Sequence, residues 1–445
     1  MVEDKLKGYR SFLRELLNKV GAEIGDEIEL RYDNKRIRGI LLPRSELEDE
    51  WHIVLKLSNG YNVGIRYRKD LSIKIIEKKK AVLAAVKRES LKIREDLPKV
   101  HILGVGGTIA SRVDYTTGAV RSVYTPEELA EMFPELIDIA SIKTKIIMNK
   151  YSEHLRASDW ERIAEEVAKS INEGVDGVIV MHGTDTMHYT SAALSFALQD
   201  LPVPVILVGS QRSSDRPSSD AALNLISAVY FASHGPIAEV MIAMHENTSD
   251  NSVVLHKGTR ARKNHTSRRD AFQTIDDLPY ARVTNGTKIE ILVNEYRRRD
   301  KNRKLKLKAN FSDKVALLKF YPNFDPEIIN FLVDRGYKGI VIEGTGLGHI
   351  GEYTFDAIRY AVSNGVLVFM TSQCIWGRTN LRVYDTGRYL LKLGVIPLEN
   401  MLPEVALVKL MWCFGQEDDP ERVRSLMLTN IAGEITPIST PAEVM

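Results

Sequence analysis

Cysteine is scarce in this chain of 445 residues, which contains only Cys374 and Cys413. Two cysteines exclude a disulfide-rich scaffold and a zinc site of the all-cysteine type. An excess of charge of one sign is missing as well: the formal net charge is +2, so nucleic-acid contacts would have to be local. The chain also lacks an apolar stretch of ~18 residues and the basic-then-apolar start of a signal peptide. Together these absences predict a cytoplasmic protein that does not span a membrane.

The first part of the chain differs from the rest in the periodicity of its apolar residues. Residues 1–85 combine one amphipathic helix, predicted at 6–20, with short strand-like runs. Two of those runs flank Ser58-Asn59-Gly60, which is typical of a tight hairpin because Asn-Gly tolerates positive φ. This pattern predicts a small N-terminal domain resembling an antiparallel β-barrel. Residues 86–98 are charged and are interpreted as a linker that ends at Pro98.

After residue 98 the chain alternates between strand-like runs and helices. Runs such as 100–105 and 178–181 are apolar throughout, which is typical of parallel strands covered on both faces. The alternation predicts an α/β body with mostly parallel sheets. We divide that body into a larger domain at 99–295, which carries the candidate catalytic site, and a smaller domain at 314–445.

A basic run separates these two domains at 296–313. Its cations are Arg297, Arg298, Arg299, Lys301, Arg303, Lys304, Lys306 and Lys308. One interpretation is a solvated hairpin or linker between the domains. The alternative is a contact with the phosphate backbone of RNA.

Two threonine motifs carry the most chemical information. They are Gly106-Gly107-Thr108-Ile109-Ala110 and His182-Gly183-Thr184-Asp185-Thr186, and each follows a predicted buried strand. In an open α/β sheet, ligands bind beyond the carboxyl ends of the strands, so we expect both motifs in one pocket. Threonine is a weak nucleophile until a base takes its proton. Thr184 beside Asp185 therefore indicates acyl transfer, with Lys263 as the candidate base.

The glycines of the first motif have a second interpretation, which is phosphate binding. The dinucleotide pattern beginning at Gly104 fails because Ile109 stands where glycine or alanine is needed, and a Walker lysine is absent. We instead expect the glycines to let the backbone approach a small substrate. Their amide groups would then stabilise a developing oxyanion, by ~3 kcal/mol for each donor.

A metal site is the alternative for His182, Asp185 and His188, because imidazole and carboxylate are common ligands. No further good ligand cluster lies nearby in the sequence, so a hydrogen-bonded structural role is favoured and no metal is expected. Thr184 and Asp185 are also ordinary helix-capping residues. The motifs that accompany them favour catalysis over a cap.

The order of five motifs carries a family resemblance. They are 106–110, Ser152-Glu153, 182–186, Gly209-Ser210-Gln211-Arg212, and Lys263 with Asp270-Ala271-Phe272. Together they resemble the L-asparaginase/glutaminase family, and the segments 344–348 and 371–374 continue the likeness into the smaller domain. The resemblance covers about residues 99 to 440. It implies an asparaginase-like body made of two domains.

The resemblance also implies catalytic roles. Thr108 corresponds to the nucleophile that attacks a side-chain amide carbonyl, which forms an acyl-enzyme and releases ammonia. Thr184, Asp185 and Lys263 correspond to a second catalytic triad. Burial would favour the neutral amine of Lys263, which can accept a proton from threonine, whereas Asp185 would favour the ammonium form.

Substrate-binding roles follow from the same resemblance. Ser152 and Glu153 correspond to the residues that bind the α-carboxylate and the α-amino group of the substrate. Tyr115 corresponds to a residue of a mobile lid, and Gly107 is expected to line the substrate site.

The N-terminal domain narrows the resemblance, because a free asparaginase has no need of residues 1–98. A small barrel-like module ahead of an asparaginase-like body resembles the D subunits of archaeal glutamyl-tRNA(Gln) amidotransferases. This implies a glutaminase with a homodimeric core that supplies ammonia to an E subunit within a heterotetramer. The partner would use ATP and Mg to convert Glu-tRNA(Gln) to Gln-tRNA(Gln) and would bind most of the tRNA, so no cofactor is implied in this chain. The alternatives are a free-standing L-asparaginase with an appended domain, and a catalytically idle scaffold that binds RNA.

Overall fold

The computed structural model divides the chain into two compact units. It describes residues 5–6, 8–33, 35–44, 49–57, 62–78, 96–107, 111–113, 120–122, 133, 135–212 and 219–439. Unit 1 contains the described residues below 94, those between 110 and 123, and residues 212 and 219, and unit 2 contains the others. The predicted hairpin at 58–60 and most of the predicted linker at 86–98 lie outside the described residues.

The elements of regular structure are numbered in chain order. The helices are α1 (Ser11–Lys19), α2 (Leu136–Ile139), α3 (Ala157–Asn172), α4 (Met187–Ala197), α5 (Ala221–His234), α6 (Glu327–Asp334), α7 (Phe355–Ser363), α8 (Asp385–Leu393), α9 (Pro403–Gln416) and α10 (Pro420–Leu428). The strands are β1 (Glu27–Tyr32), β2 (Lys35–Leu41), β3 (His52–Lys56), β4 (Asn62–Arg66), β5 (Ser72–Glu77), β6 (Lys99–Gly104), β7 (Ser111–Val113), β8 (Val120–Ser122), β9 (Ser141–Ile146), β10 (Gly177–Met181), β11 (Leu198–Gln199), β12 (Val205–Val208), β13 (Val240–His245), β14 (Ser252–Lys257), β15 (Ala261–Lys263), β16 (Phe272–Thr274), β17 (Ala281–Thr284), β18 (Lys288–Ile291), β19 (Lys306–Leu307), β20 (Val315–Lys319), β21 (Gly339–Gly344), β22 (Leu367–Ser372) and β23 (Ile396–Pro397). Short 3-10 helices occupy Ser152–His154 and Glu352–Thr354.

Unit 1 is built on an antiparallel sheet whose described strands follow the order β4-β3-β2-β1-β5. Ile28 and Leu30 of β1 are fully buried, while Glu29 between them is not, which is the alternation expected of a sheet with one covered face. Helix α1 contributes Leu13 and Leu17 to the same core. The predicted antiparallel N-terminal domain is therefore confirmed.

The larger sheet of unit 2 follows the order β18-β17-β14-β13-β12-β10-β6-β9 over the described strands. Neighbours from β9 to β13 pair in parallel, and the pairs from β13 to β18 are antiparallel. Every residue of β10, β12 and β13 is buried, because α3, α4 and α5 pack against the sheet. In register, Met181 pairs with Gly104 on one side and with Val208 on the other. The segments that follow these three strands therefore leave the sheet at one edge.

The smaller sheet of unit 2 is parallel, in the order β20-β21-β22-β23. Helix α9 joins it to the larger sheet, because α9 packs against β20, β21 and also α4. At that junction Trp412 stacks on Phe196 with a centroid distance of 5.9 Å. The predicted α/β class with mostly parallel sheets is confirmed. Across the part of the chain that the structure describes, none of the helices combines the length and apolar character needed to cross a membrane.

The basic run is packed along unit 2. Arg299 donates hydrogen bonds of 2.6 and 3.2 Å to two carbonyls at the end of α5, and Arg303 donates one of 2.7 Å to the Leu201 carbonyl. Lys301 forms an ion pair of 2.6 Å with Asp176. Strand β19 of the same run pairs with β11. These contacts favour the interpretation of the run as a connecting segment, since several of its cations are engaged by the fold.

Candidate active site

Loops from four neighbouring strands meet at the carboxyl edge of the larger sheet. Gly107, after β6, has a φ of +93° and lies so close to Gly183 that a Cβ on it would stand 2.6 Å from the Gly183 nitrogen. Gly209, after β12, is as confined, because its Cβ would stand 2.7 Å from Cγ2 of Thr184. The segment after β9 brings Ser152, whose Oγ would lie 3.0 Å from a Cβ on Gly183. The structure thus brings these motifs together, and each glycine leaves space for the next loop.

Lys263 reaches this edge from a short hairpin. It ends β15, where it pairs with Phe272 of β16. Its Nζ donates hydrogen bonds to Oγ1 of Thr184 at 2.8 Å and to Oδ1 of Asp185 at 2.6 Å. The Lys263 side chain is 9% exposed and that of Asp185 is 68% exposed. The amine is therefore shielded from solvent and directed at the threonine oxygen, while the carboxylate faces outward.

Ser152 and Glu153 lie in the 3-10 helix that follows β9. Ser152 is buried, and its carbonyl accepts a hydrogen bond of 2.7 Å from Oγ1 of Thr186. This bond ties the 3-10 helix to the loop that carries Thr184. Glu153, the next residue, is exposed. A hydroxyl and a carboxylate thus stand next to each other in the chain beside the second threonine motif.

His182 braces the second motif from inside the fold. Its ring is fully buried, with Nδ1 at 2.6 Å from the carbonyl of Gly183 and Nε2 at 2.9 Å from Oγ1 of Thr190. Burial lowers the pKa of His182 to about 4, so the imidazole is neutral near pH 7. Because a carbonyl can only accept, the Nδ1–H group donates to Gly183 and Nε2 accepts from the Thr190 hydroxyl. His182 therefore fixes the loop to helix α4.

His188 lies on α4, within electrostatic range of Lys263. It is buried, and the pKa of its imidazole is lowered to about 3, first by burial and then by the positive charges of Arg262 and Lys263. A neutral His188 adds no positive charge beside the amine. Within the described residues, His, Cys, Asp and Glu form no group of three or more that could hold a metal ion.

The smaller sheet's helix α9 holds the strand that presents Lys263. The Arg262 guanidinium lies 3.1 Å from Oε1 of Glu404, which is buried at the start of α9. Successive side chains of a strand project to opposite sides, so β15 faces α9 with one residue and the site with the next. Burial, followed by the charge of Glu404, raises the pKa of the neighbouring Tyr189 hydroxyl to about 12.

A buried polar network that the sequence reading did not single out supports the loop after β12. The Asp220 carboxylate accepts a hydrogen bond of 2.9 Å from the backbone N–H of Gln211, and Nδ2 of Asn224 donates to the Gly209 carbonyl at 3.0 Å. Oδ1 of Asn224 in turn lies 2.6 Å from Nδ1 of His245. The available signal was the presence of an amide residue, Asn224, near the start of the largely apolar helix α5.

Family models match three successive parts of the chain. Residues 22–76 match the GatD N-terminal domain, residues 99–297 the N-terminal asparaginase domain, and residues 314–427 the glutaminase/asparaginase C-terminal domain.

Curated relatives resemble the chain over nearly its whole length. The D subunit of the glutamyl-tRNA(Gln) amidotransferase of Thermococcus kodakarensis is 53% identical over 427 residues, which cover 95% of this chain and 97% of that protein. The corresponding D subunit of Pyrococcus furiosus is 51% identical over 433 residues, covering 96% of this chain and 98% of that protein. The chain belongs to the family of glutamyl-tRNA(Gln) amidotransferase D subunits. It is thereby an amidohydrolase-type member of the asparaginase family.

Solved L-asparaginases match the body of this D-subunit family member. The thermostable L-asparaginase of Thermococcus kodakarensis is 34% identical, with a TM-score of 0.67, and the match covers 76% of this chain and 100% of the asparaginase. L-asparaginase I of Vibrio cholerae is 27% identical, with a TM-score of 0.66, and the match covers 76% of this chain and 99% of that asparaginase. The predicted asparaginase-like fold is confirmed.

Two of the predicted site residues of this D-subunit family member, Thr108 and Tyr115, lie outside the described residues. Gly107, the residue before Thr108, is described and lies against Gly183. The other predicted residues, which are Ser152, Glu153, Thr184, Asp185 and Lys263, are all described and belong to unit 2.

Proposed function

We propose that this chain is the glutaminase subunit of a tRNA-dependent amidotransferase. It hydrolyses glutamine and supplies the ammonia to an E subunit, which converts Glu-tRNA(Gln) to Gln-tRNA(Gln) with ATP. The observation that carries this proposal is the position of Lys263 Nζ, 2.8 Å from Oγ1 of Thr184 and 2.6 Å from Oδ1 of Asp185. That arrangement stands in a chain about half identical to amidotransferase D subunits over almost its full length.

Thr108 is assigned the nucleophilic attack. Its hydroxyl oxygen bonds to the side-chain amide carbon of glutamine, the carbon–nitrogen bond breaks, and ammonia leaves. The hydroxyl proton passes through Thr184 to the neutral amine of Lys263, which then accepts from the Thr184 hydroxyl instead of donating to it, and from there to the departing nitrogen. Water then attacks the resulting ester, which releases glutamate and restores the threonine hydroxyl.

The geometry of Lys263 supports this proton relay. Its amine lies within hydrogen-bond distance of the Thr184 hydroxyl, which is the distance that proton transfer requires. Asp185 holds the same amine through a second hydrogen bond, so Lys263 keeps its orientation through the reaction. The low exposure of the lysine side chain, 9%, keeps bulk water away from the amine.

Substrate recognition is assigned to the residues around the second motif. The Ser152 hydroxyl binds the α-carboxylate of glutamine, and the exposed carboxylate of Glu153 binds its α-amino group. Gly107 forms part of the wall of the substrate site, and Tyr115 belongs to a lid that closes over it. Closure excludes water and keeps glutamine hydrolysis coupled to the use of ammonia by the E subunit.

The assembly is assigned from the similarity to amidotransferase D subunits. The chain forms a homodimeric core and joins two E subunits in a cytoplasmic heterotetramer. This chain holds no cofactor, whereas ATP and Mg are used by the E subunit, which also makes most of the contacts with Glu-tRNA(Gln).

Ammonia release from glutamine tests the proposal. The purified chain is assayed alone, with the E subunit, and with the E subunit and Glu-tRNA(Gln). We expect low release alone and strong stimulation by the complete set. High release that ignores the partner, especially from asparagine, would support a free-standing L-asparaginase instead.

The Thr108→Ala variant tests the role of the nucleophile within the complex. It should abolish glutamine-dependent formation of Gln-tRNA(Gln) but spare formation from free ammonium, because the partner's chemistry is intact. The exposed Thr287, in the turn between β17 and β18, offers a matched Thr→Ala control that should retain both activities. Loss of both activities in Thr108→Ala would contradict the ammonia-supply role.

A further inference from the structure

The outer face of the unit 1 sheet has an uneven distribution of charge. Arg31 of β1 lies directly opposite Arg36 of β2, and Glu29 of β1 lies between Arg38 of β2 and Lys74 of β5. Residues directly opposite each other share a face, and these side chains are on the face away from the buried core residues. We call Arg31, Arg36, Arg38 and Lys74 the basic end of the sheet.

Two of the four cations at the basic end are neutralised within the sheet. Arg38 holds Glu27 through two hydrogen bonds of 2.7 Å, and Arg31 contacts Glu29 at 2.5 Å. Arg36 and Lys74 are both exposed, and neither forms an ion pair with an acidic side chain among the residues that the structure describes. They stand on the strands either side of β1. Glu77 of β5 lies opposite Glu27 on the same face, so the four cations stand with three carboxylates and the surplus is one positive charge.

The Arg31–Arg36 pair suggests that this charge serves binding rather than folding. Like charges directly opposite on one sheet face destabilise the sheet, because the side chains are held close together. Glu29 already contacts Arg31, so the charge of this pair that an external anion would neutralise is that of Arg36. Within the described residues of unit 1, the four cations are exposed on a sheet surface rather than enclosed in a cavity, which suits an extended polyanion better than a single small anion.

The unit that carries the basic end is the part that distinguishes amidotransferase D subunits from free asparaginases. The asparaginase family model begins at residue 99, and the L-asparaginase of Thermococcus kodakarensis matches 76% of this chain over all of its own length. The D-subunit relatives, whose name includes glutamyl-tRNA(Gln), cover the N-terminal part as well. The extra unit therefore accompanies an RNA substrate.

We propose that the basic end of the unit 1 sheet binds the phosphate backbone of tRNA. This inference rests on the proposed function, and it adds a direct contact between this chain and the RNA. Arginine suits the role because its planar guanidinium matches phosphate with two parallel hydrogen bonds, and lysine adds a point charge. The basic run of unit 2 is the weaker candidate, since Arg299, Arg303 and Lys301 are engaged by the fold.

Fluorescence anisotropy with a labelled tRNA(Gln) transcript and the full-length chain tests the proposal. The Arg36→Gln/Lys74→Gln variant should bind roughly tenfold more weakly, and the slope of log K against log salt should fall by about 2, because two phosphate contacts are lost. The matched control is Lys304→Gln/Lys308→Gln, which removes two exposed lysines of the basic run. The control should bind tRNA as the wild type does.

Three results would overturn the inference. They are affinity and salt slope unchanged in Arg36→Gln/Lys74→Gln, loss of binding in the Lys304→Gln/Lys308→Gln control instead, and absence of measurable tRNA binding by the wild-type chain at about 50 mM salt. If Arg36→Gln/Lys74→Gln binds tRNA normally but fails to assemble with the E subunit, the basic end contacts an acidic surface of the E subunit instead of tRNA. Ammonia release from glutamine by the complex is measured in parallel, so failure of the proposed function is recognised separately.

Discussion

The Lys263→Met variant separates the catalytic role of this residue from its contribution to stability. Methionine keeps most of the length and apolar contact of the side chain but removes the amine. Two hydrogen bonds are lost, of 2.8 Å to Thr184 and 2.6 Å to Asp185. Proton transfer by a positioned side chain contributes ~10²–10⁴-fold to rate, so kcat for ammonia release should fall by that factor.

The free energy of unfolding should change little in the same variant. The Asp185 side chain is 68% exposed, so water solvates the carboxylate once the lysine is gone. Ion pairs with an exposed partner contribute about 0–1 kcal/mol, and we expect a loss within that range. Activity should therefore fall by orders of magnitude in a protein that unfolds at nearly the same urea concentration.

Lys257→Met is the matched control for this experiment. Lys257 forms an ion pair of 2.6 Å with Asp277, a length equal to that of the Lys263 pair, but it ends β14 instead of facing Thr184. The control should keep its activity within a few-fold. The reasoning is refuted if Lys263→Met retains more than about a tenth of the activity, or if it loses about 3 kcal/mol or more of unfolding free energy.

Three further predictions concern positions that the fold constrains. Gly107→Ala should reduce ammonia release at least ~100-fold, because the new Cβ would stand 2.6 Å from the Gly183 nitrogen at a φ of +93°; near-normal kcat would contradict this. Lys409 and Glu434 form an ion pair of 2.5 Å in which both side chains are 0% exposed. Lys409→Met should lower the unfolding free energy by about 3–5 kcal/mol, because it leaves the buried Glu434 carboxylate without its ion-pair partner. Urea titration measures that loss, and adding Glu434→Gln should recover part of it; an additive second loss would argue against the pair. Burial lowers the pKa of His182 from 6.5 to about 4. The contribution of this histidine to the free energy of unfolding is therefore complete above pH 6.5 and is lost as pH falls towards 4, by ~3 kcal/mol in all. His182→Gln should flatten that part of the pH dependence of the urea midpoint, and an unchanged profile would assign the loss to other groups.

The apolar strands of the body were predictable because fully buried parallel strands leave a plain signal. Strand β10 was predicted at 178–181 and occupies Gly177–Met181, and strand β6 was predicted at 100–105 and occupies Lys99–Gly104. Parallel pairing of such strands places their carboxyl ends at one edge. The approach of Gly107 to Gly183 follows from that pairing. The exclusion of a side chain does not, because the 2.6 Å between a Cβ on Gly107 and the Gly183 nitrogen depends on backbone angles that no residue pattern encodes.

The position of Lys263 could be predicted only through the family resemblance. It lies 78 residues beyond Asp185, and a register of three residue pairs between β15 and β16 sets its direction. A shift of that register by one residue would turn Arg262 towards the site in place of Lys263. Local sequence gives no measure of which register is preferred, because the choice is made by tertiary contacts on both sides of the hairpin.

Those tertiary contacts are buried charges, which sequence reasoning tends to place at the surface. Arg260, three residues before Lys263, is fully buried and donates to the carbonyls of Asn400 at 2.8 Å and Glu434 at 3.2 Å. The Glu434 carboxylate is in turn held by Lys409 of α9 at 2.5 Å. Buried ions of this kind are costly unless every one is satisfied, so they admit few alternative arrangements. The strand that carries Lys263 is thus fixed from the C-terminal part of the chain, and we expect disruption of the Lys409–Glu434 pair to reduce ammonia release as well as stability.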